Sequence, residues 1–324
     1  MNTAIDFSYV PDLISYSSEM AMWGFFIISY LTLPIYFYVH KMNRHQEKDL
    51  PILQLFHKLV KMSYFLFFGI IFILGLILWI AKTYDFKEKF FIVIGFGLFF
   101  LSFYILRMVQ ELFHFLLFLL AIRNTFKYLF PFRTLYSQNS VPKSVAYFCV
   151  FVVLKDFIPC AWSYCNEVQC LLGEDMRIFT VFSNVYTVLI TALNVVTSVL
   201  SPFIYIPIMM DLRKNRDSHS QQQKYLHNYI FFQSFLLLLF RLISLPFLFQ
   251  LVVFDKLGTF LMAMTIVDVV TTPLIIQLSY LKCNVQKVLH LYATFDFHDF
   301  LKVLFGKVNN SVHPNPIPLA FSIT

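Results

Sequence analysis

Charge is what this chain has least of. Asp, Glu, Lys and Arg make up 13% of its 324 residues, where a soluble domain carries about 25%. A water-facing globular surface is excluded on that ground. Lys and Arg are absent before Lys41, and the same stretch holds Asp6, Asp12 and Glu19. A cleavable secretory signal needs a basic leading region, so the chain is expected to keep its first residue. P-loop, HExxH and GxSxG patterns are missing, and no Cys or His pair has zinc-ligand spacing. Enzymatic activity, a metal and a cofactor are therefore not expected. No internal repeat is visible, which counts against an inverted-repeat transporter.

What fills the chain instead is apolar: 59% of residues, with a mean hydropathy of +0.70. The reading is an all-α membrane protein, a seven-transmembrane-helix bundle with its N-terminus outside. About twenty helical residues rise about 30 Å, the thickness of the hydrocarbon core. Spans are predicted at about 20–39, 62–81, 90–122, 145–164, 178–210, 229–254 and 257–281, between a short extracellular segment 1–19 and a cytoplasmic tail 283–324. The run 90–122 is too long for one perpendicular crossing and too short for two, so it reads as one tilted helix. Before the second span, Pro51 opens an amphipathic stretch with Ile52, Leu55, Phe56, Leu59 and Val60 on one face. Gln54, His57, Lys58 and Lys61 lie on the other, and the stretch is expected to lie at the inner interface and run straight into the second span. In the tail, Phe297, Phe300, Leu301, Leu304 and Val308 share a face of a short interfacial helix. The residues after it, rich in Pro and Asn, read as disordered.

Orientation follows from the Lys and Arg of the short loops. With the N-terminus outside, the inner segments hold seventeen of them and the outer segments five: Lys82, Lys87, Lys89, Arg177 and Lys256. The net charge of +7 thus belongs largely to the inner face, which suits anionic lipid or an acidic cytosolic partner. Nothing in it points to nucleic acid.

The few charges left inside the spans are the informative ones, because an ionisable group at mid-bilayer costs a few kcal/mol and needs a partner. Asp268 lies at the middle of the seventh span and Arg241 at the midpoint of the sixth. The connection between these spans is about four residues, so the helices are antiparallel neighbours and the two charges lie at similar depth. Arg107 and Glu111 stand one helical turn apart. Lys155 and Asp156 are adjacent on the fourth span and so need partners on other elements, Glu111 being a candidate for Lys155. The fifth span carries Asn184, Thr187, Thr191, Asn194, Ser198 and Ser201 at steps of three and four, a polar stripe that faces protein rather than lipid. Asn184, Thr187 and Thr191 are in its outer half and, with Gln250 and Thr265, are candidate ligand-binding residues. Cys165 and Cys170, in an outer and oxidising loop, can form a small local disulfide.

Several stretches together resemble a nematode serpentine chemoreceptor of the Srz class. They are LFHKLVKMSYFLFF into the second span, FLLAIRNTFKYLFPF after the third, YIPIMMDLRK after the fifth, YIFFQ in the sixth, and TTPLIIQLSYLKCN closing the seventh. The resemblance implies a multi-pass G-protein-coupled receptor in the plasma membrane of sensory neurons. Its partners would be membrane lipid, a small-molecule odorant or pheromone, and a cytosolic heterotrimeric G protein. It also implies a G-protein-facing surface near Arg123, Tyr128, Arg213, Lys214 and Tyr280. Two features depart from the pattern. The class ends its third helix in Gln-Arg where this chain has Arg123-Asn124, and a one-residue shift turns a side chain by about 100°. The chain also has no Asn-Pro-x-x-Tyr, although Pro273 and Tyr280 occupy the corresponding region. Two other classes stay open on the residues alone. A ligand-gated channel would line its pore with the fifth-span stripe, and a secondary transporter would couple through Arg107, Glu111, Asp156 and Asp268.

Overall fold

In hydrocarbon no water satisfies a backbone N–H or C=O, so a spanning segment must bond internally, and the helix is the local solution. The computed structural model describes residues 10–44, 47, 50–83, 89–129, 147–148, 150–155, 176–214, 220–253 and 257–305. Among them every element is a helix. In chain order these are α1 (Val10–Asn43), α2 (Pro51–Thr83) and α3 (Lys89–Leu129). Residues 150–155 belong to a fourth helix, α4. There follow α5 (Met176–Lys214), α6 (Gln221–Val253), α7 (Leu257–Cys283), α8 (Val285–Ala293) and α9 (Phe297–Phe305). Six of the described helices are long and apolar enough to cross a membrane, over Trp23–Asn43, Pro51–Ile80, Val93–Phe126, Val195–Lys214, Gln221–Ser244 and Thr265–Cys283. Most of the predicted fourth span lies outside the described residues.

The helix α7 is central. It packs along α6 and α1 and also touches α2, α3 and α8, while α3 packs along α2 and α5. Among the described residues a large buried core lies at the end of the bundle where α1 finishes and α2 begins. There Phe56 sits edge-on between Phe113 and Tyr229, with ring centroids 5.8 Å apart in both contacts. Tyr36, Tyr205 and Tyr280 are fully buried in the same core. Residues of identical type cover the outside of the bundle, for example Phe65, Phe72 and Leu78, because lipid tails solvate an apolar side chain as well as a protein core does.

The helices α1, α2 and α6 extend beyond the predicted spans, and the tail adds a helix. The helix α1 starts at Val10, ahead of the apolar run, since helix formation continues past the residues that hydrophobicity marks. The stretch from Pro51 to Val60 runs without a break into the second span, as the sequence suggested. It is the first part of α2 and enters the bundle, with Leu53, Phe56, Leu59, Val60 and even His57 buried. The helix α6 begins at Gln221, so the polar connection before it is shorter than expected, and Tyr225 packs against the core. The tail forms two helices rather than one. Asn284, at φ −114° and ψ 28°, breaks α7 from α8, and α9 then folds back against α1. Tyr38 stacks on Phe300 at 5.3 Å, and the Lys41 ammonium donates to the carbonyls of Val303 and Leu304 at 3.0 and 2.8 Å. Those carbonyls end α9 without intrahelical partners, and a cation is what such an end attracts. Val308 and the residues after it lie outside the described residues.

Candidate functional site

The polar interior is built in two layers joined by α6 and α7. The first layer follows from two neighbouring residues of α3. Adjacent positions on a helix point about 100° apart, so Gln110 and Glu111 face different helices. Glu111 faces α4, where the Lys155 ammonium donates to both carboxylate oxygens at 2.8 and 3.0 Å. Arg107, one turn back on α3 and partly exposed, adds a contact from its Nε to Glu111 Oε1 at 3.2 Å. Gln110 faces α7 and donates from Nε2 to Asp268 Oδ2 at 2.9 Å. The same oxygen accepts from Arg241 Nη2 on α6 at 2.5 Å. Glu111, Lys155, Arg241 and Asp268 are each only 5 to 6% exposed, so each charge is both paired and withdrawn from lipid. The chain of contacts runs α4, α3, α7, α6. One turn further along α3, His114 is 3% exposed with neither ring nitrogen bonded.

The second layer closes the end where α1 meets α2, and its centre is Tyr280. This hydroxyl donates to Glu47 Oε1 at 2.6 Å and accepts from Asn43 Nδ2 at 2.9 Å. Glu47 belongs to the link between α1 and α2, yet it is buried and also contacts His40 Nδ1 at 2.9 Å. The Asn43 amide reaches Asn284 Oδ1 at 2.8 Å, and Asn284 in turn donates to the Tyr225 hydroxyl of α6 at 2.7 Å. Lys287 of α8 donates to Asn43 Oδ1. Burial pulls the Lys287 ammonium below its ordinary pKa, against the opposite pull of Glu47. One hydrogen-bonded knot thus ties α1, its following link, α6, α7 and α8. Between the layers Gln277 donates to Tyr64 and accepts from Thr32, both at 2.6 Å, joining α7 to α2 and α1. Beside them Asn124 donates to Tyr205 at 2.9 Å, and Tyr205 contacts His227 at 2.7 Å, joining α3, α5 and α6.

The candidate residues of the sequence fall unevenly on this frame. Arg241 and Asp268 meet, Arg107 meets Glu111, and Lys155 meets Glu111. Asn184, Thr187 and Thr191 are on α5 and Gln250 is on α6, with side chains outside the described residues. Thr265 is half-buried on α7, three positions before Asp268. Ser201 reaches Ser234 of α6 at 3.2 Å, so the Ser201 end of the stripe serves helix packing. Of the expected G-protein-facing set, Arg213 and Lys214 are exposed at the end of α5 and Arg123 is half-buried. Tyr128 is on α3, its side chain outside the described residues. Tyr280 is 1% exposed, and its hydroxyl is satisfied inward by Glu47 and Asn43. Asp156, Cys165 and Cys170 lie outside the described residues.

Sequence reasoning missed Gln110 as the second partner of Asp268, although Arg107, Gln110, Glu111 and His114 at steps of three and one were a visible signal. It also missed Glu47, which sits in the run HQEKD and looks like any solvated loop charge. Among the described residues no group of three His, Cys, Asp or Glu side chains converges on a metal position.

Comparison with known proteins agrees with this architecture. No curated protein and no solved structure matches the chain. Residues 19–285 match the family model described as serpentine type 7TM GPCR chemoreceptor Srz. That match covers every described spanning helix and both polar layers apart from Lys287, and the chain belongs to the Srz family of serpentine chemoreceptors.

Proposed function

We propose that the chain detects a small external chemical and passes the signal to a cytosolic heterotrimeric G protein. The ligand enters from the side bearing the N-terminus and sits between α3, α5, α6 and α7, beyond the Asp268 layer, with Asn184, Thr187, Thr191, Gln250 and Thr265 as its polar contacts. The observation that carries this reading is the Gln110–Asp268–Arg241 bridge. It joins the three helices that would have to shift, and it lies between the proposed ligand chamber and the knot around Tyr280. A ligand acts by binding one helix arrangement more tightly than another, and the two polar layers supply two discrete arrangements, closed or broken. Opening the Asn284–Tyr225 contact frees the start of α6 from α7 and α8. Arg123, Arg213 and Lys214 then form the basic surface that receives the G protein.

The test is expression in a cell carrying a promiscuous G-protein reporter, challenged with odorants and ascarosides. A ligand-dependent reporter signal is expected. That signal should weaken for Thr187→Val and Asn184→Leu at equal surface expression. A ligand-evoked current that persists without any G protein would replace this reading with the channel.

A further inference from the structure

A groove of about 380 Å³ opens on the outside of the bundle, lined by Leu33, Pro34, Phe37 and Lys41 of α1, Lys61 of α2, and the Leu304–Phe305 end of α9. Leu33, Pro34 and Phe37 belong to the membrane-crossing part of α1. Lys61 is the last charge on α2 before twenty uncharged residues, 62–81, so it marks the boundary between head groups and hydrocarbon. Helical side chains lean toward the helix N-terminus, which for Lys61 is the polar end, and a lysine there extends its ammonium toward water. The lining therefore has an apolar half and a cationic half. Among the described residues no Asp or Glu lines the groove, and Lys61 is exposed and has no ion pair there. Lys41 holds α9 in place through the Val303 and Leu304 carbonyls, so the wall that α9 forms is anchored rather than incidental.

We propose that this groove is a specific site for an anionic phospholipid, with the phosphate on Lys61 and the upper part of one acyl chain along Leu33, Pro34 and Phe37. A soluble anion would find no use for the apolar half, and an apolar lipid none for the lysines. A phospholipid of the surrounding leaflet meets both and is already at the right depth. By tying α1, α2 and α9 together, such a lipid holds the outer side of the Tyr280 knot. This site is independent of the ligand and G-protein reading above.

The experiment is native mass spectrometry of the full chain released from nanodiscs of phosphatidylcholine mixed with phosphatidylserine. Both leaflets are alike there, so the result does not depend on which way the chain inserts. The parent chain is expected to retain phosphatidylserine in preference to phosphatidylcholine. Lys61→Gln should lower that preference about fivefold, the share of one lysine near an anionic surface, and Lys61→Arg should keep it. Leu33→Trp, which fills the groove and leaves the charge, should lower retention as well. Lys82→Gln, exposed at the other end of α2, should change nothing. The proposal is overturned if Lys61→Gln matches the parent, if Lys82→Gln loses as much, or if Leu33→Trp has no effect. A parent without preference that acquires one on truncation after Phe305 would make the chain's own tail the occupant, and would overturn it too.

Discussion

Asp268 shares one oxygen between Gln110 and Arg241, and that sharing decides what substitutions there should do. Removing one member of a buried ion pair strands the other charge, at a cost of about 3–5 kcal/mol. Arg241→Leu and Asp268→Leu should therefore each lower surface expression or raise basal signalling. Exchanging the two, Arg241→Asp with Asp268→Arg, keeps the pair. Gln110 tolerates the exchange because its Oε1 is unbonded and its amide can turn to accept where it now donates. The exchanged receptor should recover much of the lost surface signal in flow cytometry, and a double mutant no better than the worse single one would refute the pairing. If expression recovers while neither single mutant altered basal signalling, the bridge is structural and not a switch. His114 makes the opposite prediction. Its buried ring leaves both nitrogens unbonded, a burden of about 1–3 kcal/mol for a buried polar group. His114→Leu, of similar volume, should leave the melting temperature of purified receptor unchanged or higher, and a clear loss would show that the imidazole has a partner.

At the scale of elements, α3 and α7 carry the polar interior and the knot at Tyr280 closes one end of it. Tyr280→Phe deletes a hydroxyl that serves both Glu47 and Asn43. Hydrogen bonds to a charged group are worth about 1.5–3 kcal/mol, so the closed arrangement should lose roughly ten- to a hundredfold in population. Basal reporter output should rise at matched surface expression. Glu47→Gln keeps an acceptor for Tyr280 and should raise it less, while Glu47→Ala should resemble Tyr280→Phe. Equal basal output in all three would mean that the knot does not control opening. The length of α3, 41 residues or about 60 Å, is about twice the hydrocarbon thickness. Its surplus at the α1–α2 end is where Asn124 reaches Tyr205, beside the Arg123 that the family pattern would shift by one position.

For the molecule as a whole, the strongest prediction is its direction in the membrane. In the topology expected from the sequence, seventeen Lys and Arg fall on one side and five on the other, with the exposed end of α5 and the α8–α9 pair on the basic side. An epitope tag before Met1 should be reached by antibody on intact cells, and one after Thr324 only after permeabilisation. The reverse labelling would sink the receptor mechanism, because the proposed G-protein surface would face outward.

The sequence by itself determined that this is a helical bundle in lipid, since scarce charge and long apolar runs leave no other way to satisfy the backbone. It also determined that Arg241 stands beside Asp268, because a connection of about four residues forces antiparallel neighbours and puts both charges at one depth. The similarity of its closing stretches to Srz receptors was likewise legible, and the family match over residues 19–285 agrees. Only the tertiary structure decided which way each helix is turned. In a membrane an apolar residue is equally content against lipid or core, so Phe65 and Phe56 look alike in sequence, yet one is exposed and the other buried. Hydrophobic pattern therefore cannot say whether Gln110 or Glu111 faces Asp268. Nor can it separate a buried loop carboxylate such as Glu47 from a solvated one, because that depends on whether distant donors, here Tyr280 and His40, arrive within bonding distance.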